Sequence, residues 1–274
     1  NALRAVKTPT EELLTELTVL LKNGRVQGSH TLSHTVAFGL TNLIHKACIH
    51  KTTSVYNYPV RTYGRFCDEK STVINRELIP FLAERLFAAE ETDTRTLITY
   101  INALGNLGHD GAALHLMKVI EGQPSLDPLP RSVAVYQLKK AASANPSVYR
   151  PVILHVIQNL AESDEVRIAA ITVLPYTNPS ATDFTRLAIQ TWWEPSTQVA
   201  AYITSTLKTL AGQPSQYHLF ESIGQFAQEA AVLVKPTDTG LQTGHNLLIY
   251  KILDSLKAAV TLEFQDIHSV ESVF

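Results

Sequence analysis

Three short segments decide the fold: Ser132-Val133-Ala134-Val135-Tyr136, Glu165-Val166-Arg167-Ile168-Ala169 and Gln198-Val199-Ala200-Ala201-Tyr202. Val133, Val166 and Val199 are separated by 33 residues at each step, and Asn145-Pro146 recurs as Asn178-Pro179 at the same interval. A period of this length is typical of two short helices and two turns, and proline marks the junction because it cannot donate into the preceding turn. A single helix pair cannot bury its apolar face alone. The repeat therefore predicts stacked helix pairs, in preference to an ordinary helical bundle.

Helix signals also dominate the part of the chain that precedes the repeat. Thr8 is the predicted N-cap of a first helix, with Pro9 at its first position and Glu11 completing a capping box. Further helices are predicted over about 29–47, 73–89, 94–107 and 111–121. The residues expected on the buried face of the second helix are Leu32, Val36, Leu40 and Ile44.

The last forty residues have a different pattern. The segment 259–265 alternates apolar and polar residues, which is the period of a half-buried strand, and 247–252 is its predicted partner across a turn near Asp254-Ser255. A lone hairpin is only marginally stable in water. We therefore expect a helical domain over 1–235, and over 236–274 the start of a β-sheet region that belongs to a larger protein.

Composition and charge exclude several classes of protein. The chain has 274 residues with a net charge of −2, and it contains no run of lysine or arginine longer than two. A nucleic-acid site would require a clustered basic surface, so no nucleic-acid partner is expected. No apolar stretch reaches the roughly 18 residues that a transmembrane helix needs. The chain begins at Asn1 without a signal peptide, which is typical of a mature product or a piece of a longer chain.

Three blocks of sequence stand out: Leu104-Gly105-Asn106-Leu107-Gly108-His109, the segment 165–171 followed by Thr177-Asn178-Pro179, and Trp193-Glu194-Pro195-Ser196-Thr197-Gln198-Val199-Ala200. These blocks resemble the large lipid transfer proteins, a family that includes vitellogenins, apolipophorins and apolipoprotein B. They occur in the order and spacing of that family, and the resemblance extends over roughly 8 to 265. It implies a right-handed, two-layered α-α superhelix of stacked helix pairs that surrounds a lipid cavity formed by β-sheets. A short β-hairpin at the C-terminus completes the predicted fold.

The resemblance also implies a function. The chain is expected to be a structural helical domain of a secreted, extracellular lipid-transport or storage lipoprotein of yolk or haemolymph, without enzymatic activity or cofactor. Phospholipid and neutral lipid would be cargo of the parent protein, whose adjoining β-sheet domains and cell-surface receptor are the other expected partners. The alternative is a protein-interaction or clotting module that uses the concave surface of the solenoid.

The two cysteines, Cys48 and Cys67, lie on either side of the longest irregular segment in the first half of the chain. They form either a disulfide that fixes this loop between two helices or a pair of free, buried thiols. Membership of a secreted family favours the disulfide.

His30 and His34 are four residues apart on one predicted helix, and His45 and Cys48 follow on the same segment. This spacing could supply ligands to a zinc ion. No neighbouring carboxylate is placed to orient the imidazole rings, and a bridged Cys48 cannot act as a ligand. We therefore predict ordinary helix-face histidines and no metal site.

No catalytic motif is present: the sequence lacks G-x-S-x-G, H-E-x-x-H and a P-loop. Arg167 is expected to pair with a neighbouring repeat, as a structural residue. Of the adjacent Trp192 and Trp193, one is expected to pack between repeats and the other to contact lipid or an adjoining sheet. The predicted structural residues of the repeat are Val133, Val166, Arg167, Asn178, Pro179 and Val199.

Overall fold

The computed structural model describes residues 6, 9–50, 67–90, 92–122, 127–212 and 221–236, together with the backbone of 245–253 and 258–266. Within these residues the chain is mainly helical, which confirms the predicted fold class at that level. Its described helices are each too short or too polar to cross a membrane. The chain divides into two compact units, Asn1–Tyr149 and Arg150–Phe274.

The first unit contains eight described helices that precede Pro146. They are α1 (Glu11–Lys22), α2 (Gly24–Gln27), α3 (His30–Ile44), α4 (Ile79–Phe87), α5 (Thr94–Leu107), α6 (Asp110–Ile120), α7 (Pro128–Gln137) and α8 (Lys139–Ala144). One π-helical turn, His45–Ile49, continues α3, and another, Val73–Leu78, leads into α4. A further helix, α9 (Pro146–Gln158), begins in this unit and continues into the second.

The N-cap of α1 lies two residues later than predicted. Thr10, not Thr8, is the N-cap, and its hydroxyl accepts a hydrogen bond from the Leu13 amide at 3.3 Å. Pro9 precedes the cap, and Glu11 is the first helical residue. Thr8 itself lies outside the described residues. Both threonines are suitable caps, and the sequence rule that places proline at the first helical position favours Thr8.

The buried face of α3 also differs from its prediction. Leu40 and Ile44 are fully buried as predicted, but Leu32 is 50% exposed, and Ser33 and Ala37 are buried instead. A spacing of four residues turns about 400° around an α-helix, so a strict i+4 row drifts by about 40° at each step. Over the three steps from Ile44 to Leu32 the row leaves the core.

Helices of the first unit that are two apart along the chain are neighbours in space. Thus α1 adjoins α3, α3 adjoins α5 and α5 adjoins α7, while α4 adjoins α6. The approach of α5 to α7 requires a glycine, because a Cβ added to Gly105 would clash with the Cβ of Gln137. Gln137 in turn donates a 2.7 Å hydrogen bond to Asn102 across the same contact.

The second unit continues with α10 (Asp164–Val173), α11 (Ala181–Gln190), α12 (Thr197–Ala211) and α13 (Glu221–Ala231). Here too alternate helices are neighbours, since α10 adjoins α12 and α11 adjoins α13. Two antiparallel strands follow, β1 (His245–Leu253) and β2 (Ala258–Asp266), with His245 opposite Asp266. The turn predicted near Asp254-Ser255 lies outside the described residues.

The repeat has a structural counterpart in the second unit. Val166 and Val199 are each the third residue of a helix, three residues after the serine N-caps Ser163 and Ser196, and both valines are fully buried. Val133 is instead the sixth residue of α7 and is only partly buried. The N-cap of α7 is Asp127, and Pro128 starts the helix early, so the position of Val133 is one turn further along.

Asn178 and Pro179 form the junction between α10 and α11. A 3₁₀ turn, Leu174–Thr177, follows α10 and ends at Asn178, whose φ of 49° lies in the left-handed region that asparagine tolerates. Pro179 then precedes Ser180, which forms a capping box with Asp183 at the start of α11. Asn145 similarly ends α8, and Pro146 is the first residue of α9.

Candidate apolar contact surface

Cys48 and Cys67 form a disulfide, with their Cα atoms 5.0 Å apart. Cys48 lies in the π-helical turn that continues α3, and both side chains are buried. The bond therefore joins the end of α3 to the segment that leads into α4. The alternative of two free thiols is not what the structure contains.

The histidines considered as zinc ligands make other contacts. The rings of His30 and His34 are stacked with centroids 6.1 Å apart, and His45 donates from Nδ1 to the Leu107 carbonyl at 2.9 Å. Cys48 is in the disulfide and cannot supply a thiolate. Among the described residues, no group of three or more histidine, cysteine, aspartate or glutamate side chains could hold a metal ion.

Arg167 is buried in the second unit, and its carboxylate partner is Glu194. The two guanidinium Nη atoms donate to the two carboxylate oxygens of Glu194 at 2.8 and 2.5 Å, and Nε donates to the Ile157 carbonyl at 3.1 Å. The side chains of Arg167 and Glu194 are 1% and 0% exposed. A buried, two-pronged pair of this kind supplies a counter-charge that the guanidinium needs once it has lost water.

Two further donors complete the environment of Glu194. Gln190 donates to Oε2 at 2.9 Å, and the Ser196 amide donates to Oε1 at 3.2 Å. Burial alone would raise the pKa of Glu194, but the hydrogen bonds from Arg167 and Gln190 outweigh it and hold the pKa below its ordinary value. The carboxylate is therefore charged in the folded protein at neutral pH.

Neither tryptophan packs between repeats, which corrects the prediction for one of them. Trp192 and Trp193 follow the end of α11, and they are 56% and 63% exposed. Trp192 donates from its indole N–H to the Leu233 carbonyl at 2.9 Å. This bond fixes the ring beside a second exposed apolar segment, because Val232 and Leu233 are themselves largely uncovered.

Trp193 lines a groove of about 320 Å³ beside the end of α11. Leu160 and Ile189 supply the other apolar walls, while Gln190 lies between this groove and the Glu194 carboxylate. Exposed apolar residues thus cluster around the end of α11. We call this cluster the tryptophan surface; it consists of Leu160, Ile189, Trp192, Trp193, Val232 and Leu233.

The tryptophan surface offers apolar area that another layer can cover. Full burial of a tryptophan removes about 150–250 Å² from water, so covering the exposed half of each ring would contribute about 2–4 kcal/mol at 25 cal/mol per Å². Clustered rather than scattered apolar exposure is typical of a surface that another layer covers. What this arrangement can do chemically is bind apolar surface.

Sequence reasoning identified Arg167 and the two tryptophans but missed their surroundings. Glu194 was part of a recognised block, yet nothing in its local sequence marks it as the partner of a residue 27 positions earlier. The sequence Trp-Trp followed by Glu-Pro is a signal for a helix end, and a helix end exposes more side chain than a helix face. That signal favours exposure of the two rings.

Comparison with known proteins gives consistent matches. A family model described as the vitellogenin TPR domain matches residues 1–208. The chain is 28% identical over 267 residues to vitellogenin-A1 of Aedes aegypti, a match that covers 97% of this chain and 12% of that protein. It is 27% identical over 210 residues to vitellogenin-1 of Gallus gallus, which covers 74% of this chain and 10% of that protein.

A solved structure of lipovitellin, described by its lipid–protein interactions, has a similar fold. It superposes with a TM-score of 0.75 at 20% sequence identity, and the match covers 96% of this chain and 26% of that one. The chain therefore spans a small part of the length of the relatives that it matches.

Proposed function

The chain belongs to the vitellogenin TPR domain family, and from that premise we propose that it is the structural helical domain of a secreted lipid-transport or storage lipoprotein. The observation that carries the proposal is the family match over residues 1–208, which is more than half of the chain. Matches to vitellogenins of insects and of a bird support it. In this role the domain supplies packing surface and no catalytic group.

We further propose that 1–235 is one helical domain with the form of a right-handed, two-layered α-α superhelix. The neighbour relations within each unit support this, because alternate helices adjoin in both. Residues 236–274, which include β1 and β2, would be the start of a β-sheet region. A two-stranded sheet needs further strands or a helical layer for independent stability, so additional sheet is expected from the parent protein.

The tryptophan surface would be where this domain meets an apolar β-sheet face of the parent protein. Sheets that hold phospholipid and neutral lipid are apolar on the lipid side and need a covering layer on the other. The two exposed indole rings offer apolar area with one polar atom each, and the indole N–H of Trp192 is already satisfied by Leu233. Recognition by a cell-surface receptor would then be a property of the assembled parent protein.

The experiment uses the full-length parent protein, secreted from cultured cells and separated on a density gradient. We expect the wild type to float with bound phospholipid, since the lipid is held by the assembled protein. A parent protein that is secreted without lipid, and sediments as lipid-free protein does, would refute the proposed function.

A double substitution, Trp192→Ser with Trp193→Ser, tests the tryptophan surface separately. The matched control is Phe87→Ser in the first unit, which changes a ring that is 54% exposed but outside the surface. We expect the tryptophan variant to lose lipid or become protease-sensitive between its domains, and the control to resemble the wild type. Equal behaviour of the two variants would refute the role of the surface while leaving the domain assignment in place.

A further inference from the structure

The groove beside the end of α11 combines apolar walls with an arginine at its rim. It has a volume of about 320 Å³ and is lined by the C-terminal ends of α9 and α11 and by residues that follow them. The walls are mainly apolar and come from Leu160, Ile189 and Trp193. Ligand sites in proteins are typically recesses of about 300 Å³ or more, mostly apolar, with a few placed polar groups. The groove has these properties within the second unit alone.

Arg186 supplies the charge of the groove. It is exposed and lines the groove one helical turn before Ile189 and two turns before Trp193. The rise from Arg186 to Trp193 is about 10 Å at helical geometry. One elongated ligand can therefore contact the indole ring and reach the guanidinium.

The carboxylates on this segment are engaged by other groups. Asp183 accepts from the amide and from the hydroxyl of Ser180, each at 2.8 Å, and Glu194 is paired with Arg167. Within the described part of the chain, the Arg186 side chain makes no hydrogen bond or ion pair. The guanidinium is therefore available to an anionic ligand.

The apolar walls suit an alkyl chain better than a polypeptide. Each residue of a bound peptide would bring an N–H and a C=O group that need partners once water is excluded. The side-chain amide of Gln190 is directed to Glu194, so Gln158, Arg186 and the Trp193 indole are the main polar groups that face the groove. These are too few to pair the main chain of a peptide. An alkyl chain brings no such groups and gains free energy from the apolar area that it covers.

We infer that this groove is a binding site for a single-chain anionic amphiphile, with the alkyl chain along Ile189 and Trp193 and the head group on Arg186. A guanidinium donates two parallel hydrogen bonds to a carboxylate or to a phosphate, so both head groups share the chemistry that the site recognises. The inference goes beyond the proposed function, because all the walls of the groove belong to this chain and not to the sheets of a parent protein. A flat sheet face does not fill a groove, so a layer over the tryptophan surface leaves room for this ligand.

The test is calorimetric titration of the full chain at pH 7.5 with decanoate, decyl phosphate and decanol. The three ligands share one alkyl chain and differ in the head group, so their comparison isolates the contribution of the guanidinium. We expect the two anions to bind at one site, at least about tenfold more tightly than the alcohol, because the hydrogen bonds from Arg186 are charge-assisted. The anion that binds more tightly identifies the head group. Binding of decanol as tight as that of both anions would overturn the inference.

A charge variant and its control follow the same titrations. Arg186→Gln should weaken the binding of both anions about tenfold and leave the binding of decanol unchanged. Arg25 is exposed on α2 in the first unit, so Arg25→Gln removes an equal charge away from the groove and should leave all three affinities unchanged. Anion binding that is unaltered in Arg186→Gln, or weakened equally in both variants, would overturn the role of Arg186.

Fluorescence locates the alkyl chain. Trp192→Phe leaves Trp193 as the only tryptophan of the chain, and decanoate brominated at the end of its chain quenches an indole on contact. We expect saturable quenching with the affinity that calorimetry gives. Leu160→Ser should weaken all three ligands about fivefold, whereas Leu129→Ser, which changes a leucine that is 48% exposed in the first unit, should not. Unquenched Trp193 at saturation, or equal affinities in the two serine variants, would overturn the placement of the ligand in this groove.

Discussion

Replacing Glu194 with glutamine removes the counter-charge of a buried arginine. Glutamine keeps the size of the side chain and one acceptor oxygen, so the principal change is the loss of the negative charge. Arg167 is 1% exposed and cannot recover the interaction with water. Removal of one partner from a buried ion pair typically costs about 3–5 kcal/mol, because the other charge is left uncompensated.

The surface pair Lys22–Glu77 provides the matched control. Its side chains are 36% and 41% exposed and 3.4 Å apart, so Glu77→Gln should cost at most about 1 kcal/mol. Scanning calorimetry of the full chain at pH 7 measures both variants. A loss of 1 kcal/mol lowers Tm by about 2–4 °C in a protein of this size class, so we expect a decrease of about 6–20 °C for Glu194→Gln.

A double variant separates charge from packing. Arg167→Met with Glu194→Leu removes both charges and keeps apolar volume, so it should be more stable than Glu194→Gln alone. The pKa of Glu194 in the folded protein is below its ordinary value of 4.5, so the pair stabilises the fold fully above about pH 4.5 and progressively less as the pH falls through the folded pKa. Glu194→Gln should flatten this acid limb. A Tm within 2 °C of that of Glu77→Gln would refute the reasoning.

Three further predictions concern other parts of the chain. The pKa of His45 is lowered from 6.5 to about 4, so its neutral form stabilises the fold fully above about pH 6.5 and less as the pH falls towards 4. His45→Gln should therefore reduce the decrease in Tm between about pH 7.5 and 5. An unchanged decrease in Tm would contradict this. Cys48→Ala with Cys67→Ala removes the disulfide that closes a loop across 19 residues, and should lower the free energy of unfolding in urea by about 3 kcal/mol. Reductant should have an equal effect on the wild type. An unaltered urea midpoint would show that the bond does not stabilise the fold. Ser196→Ala removes the N-cap of α12 and a 2.6 Å bond to Asp164, and should cost about 1–2 kcal/mol by the same measurement, whereas the exposed Ser143→Ala should change little.

Local features of the sequence predicted most of the helices. The helix over 94–107 has the predicted bounds, and α6 differs by one residue at each end, because caps and apolar periodicity act over three to four residues. The 33-residue spacing places Val166 and Val199 at the same position in their helices, because both helices begin with a serine N-cap three residues earlier. Val133 does not occupy the same helix position as the other two valines, because Pro128 makes α7 begin earlier.

The candidate sites depend on contacts between residues that are far apart in the sequence. The carboxylate that pairs with Arg167 is 27 residues away, and the His45–Leu107 bond joins positions 62 residues apart. The degree of exposure of Trp192 and Trp193 depends on which tertiary neighbours cover the two rings, and tryptophan is highly buried on average. In each case the tertiary neighbours, and not the local pattern, fix the environment.

The Arg167–Glu194 pair also restricts how the second unit can change in evolution. Repeat proteins commonly gain or lose whole helix pairs, because each pair contacts only its neighbours. Here the guanidinium of α10 reaches the Ile157 carbonyl in α9 on one side and the carboxylate that follows α11 on the other. Removing the segment that carries Glu194 would leave the buried guanidinium of Arg167 without a counter-charge. Inserting a helix pair between Arg167 and Glu194 would separate the two side chains. Length variation among relatives is therefore expected to fall outside residues 157–194.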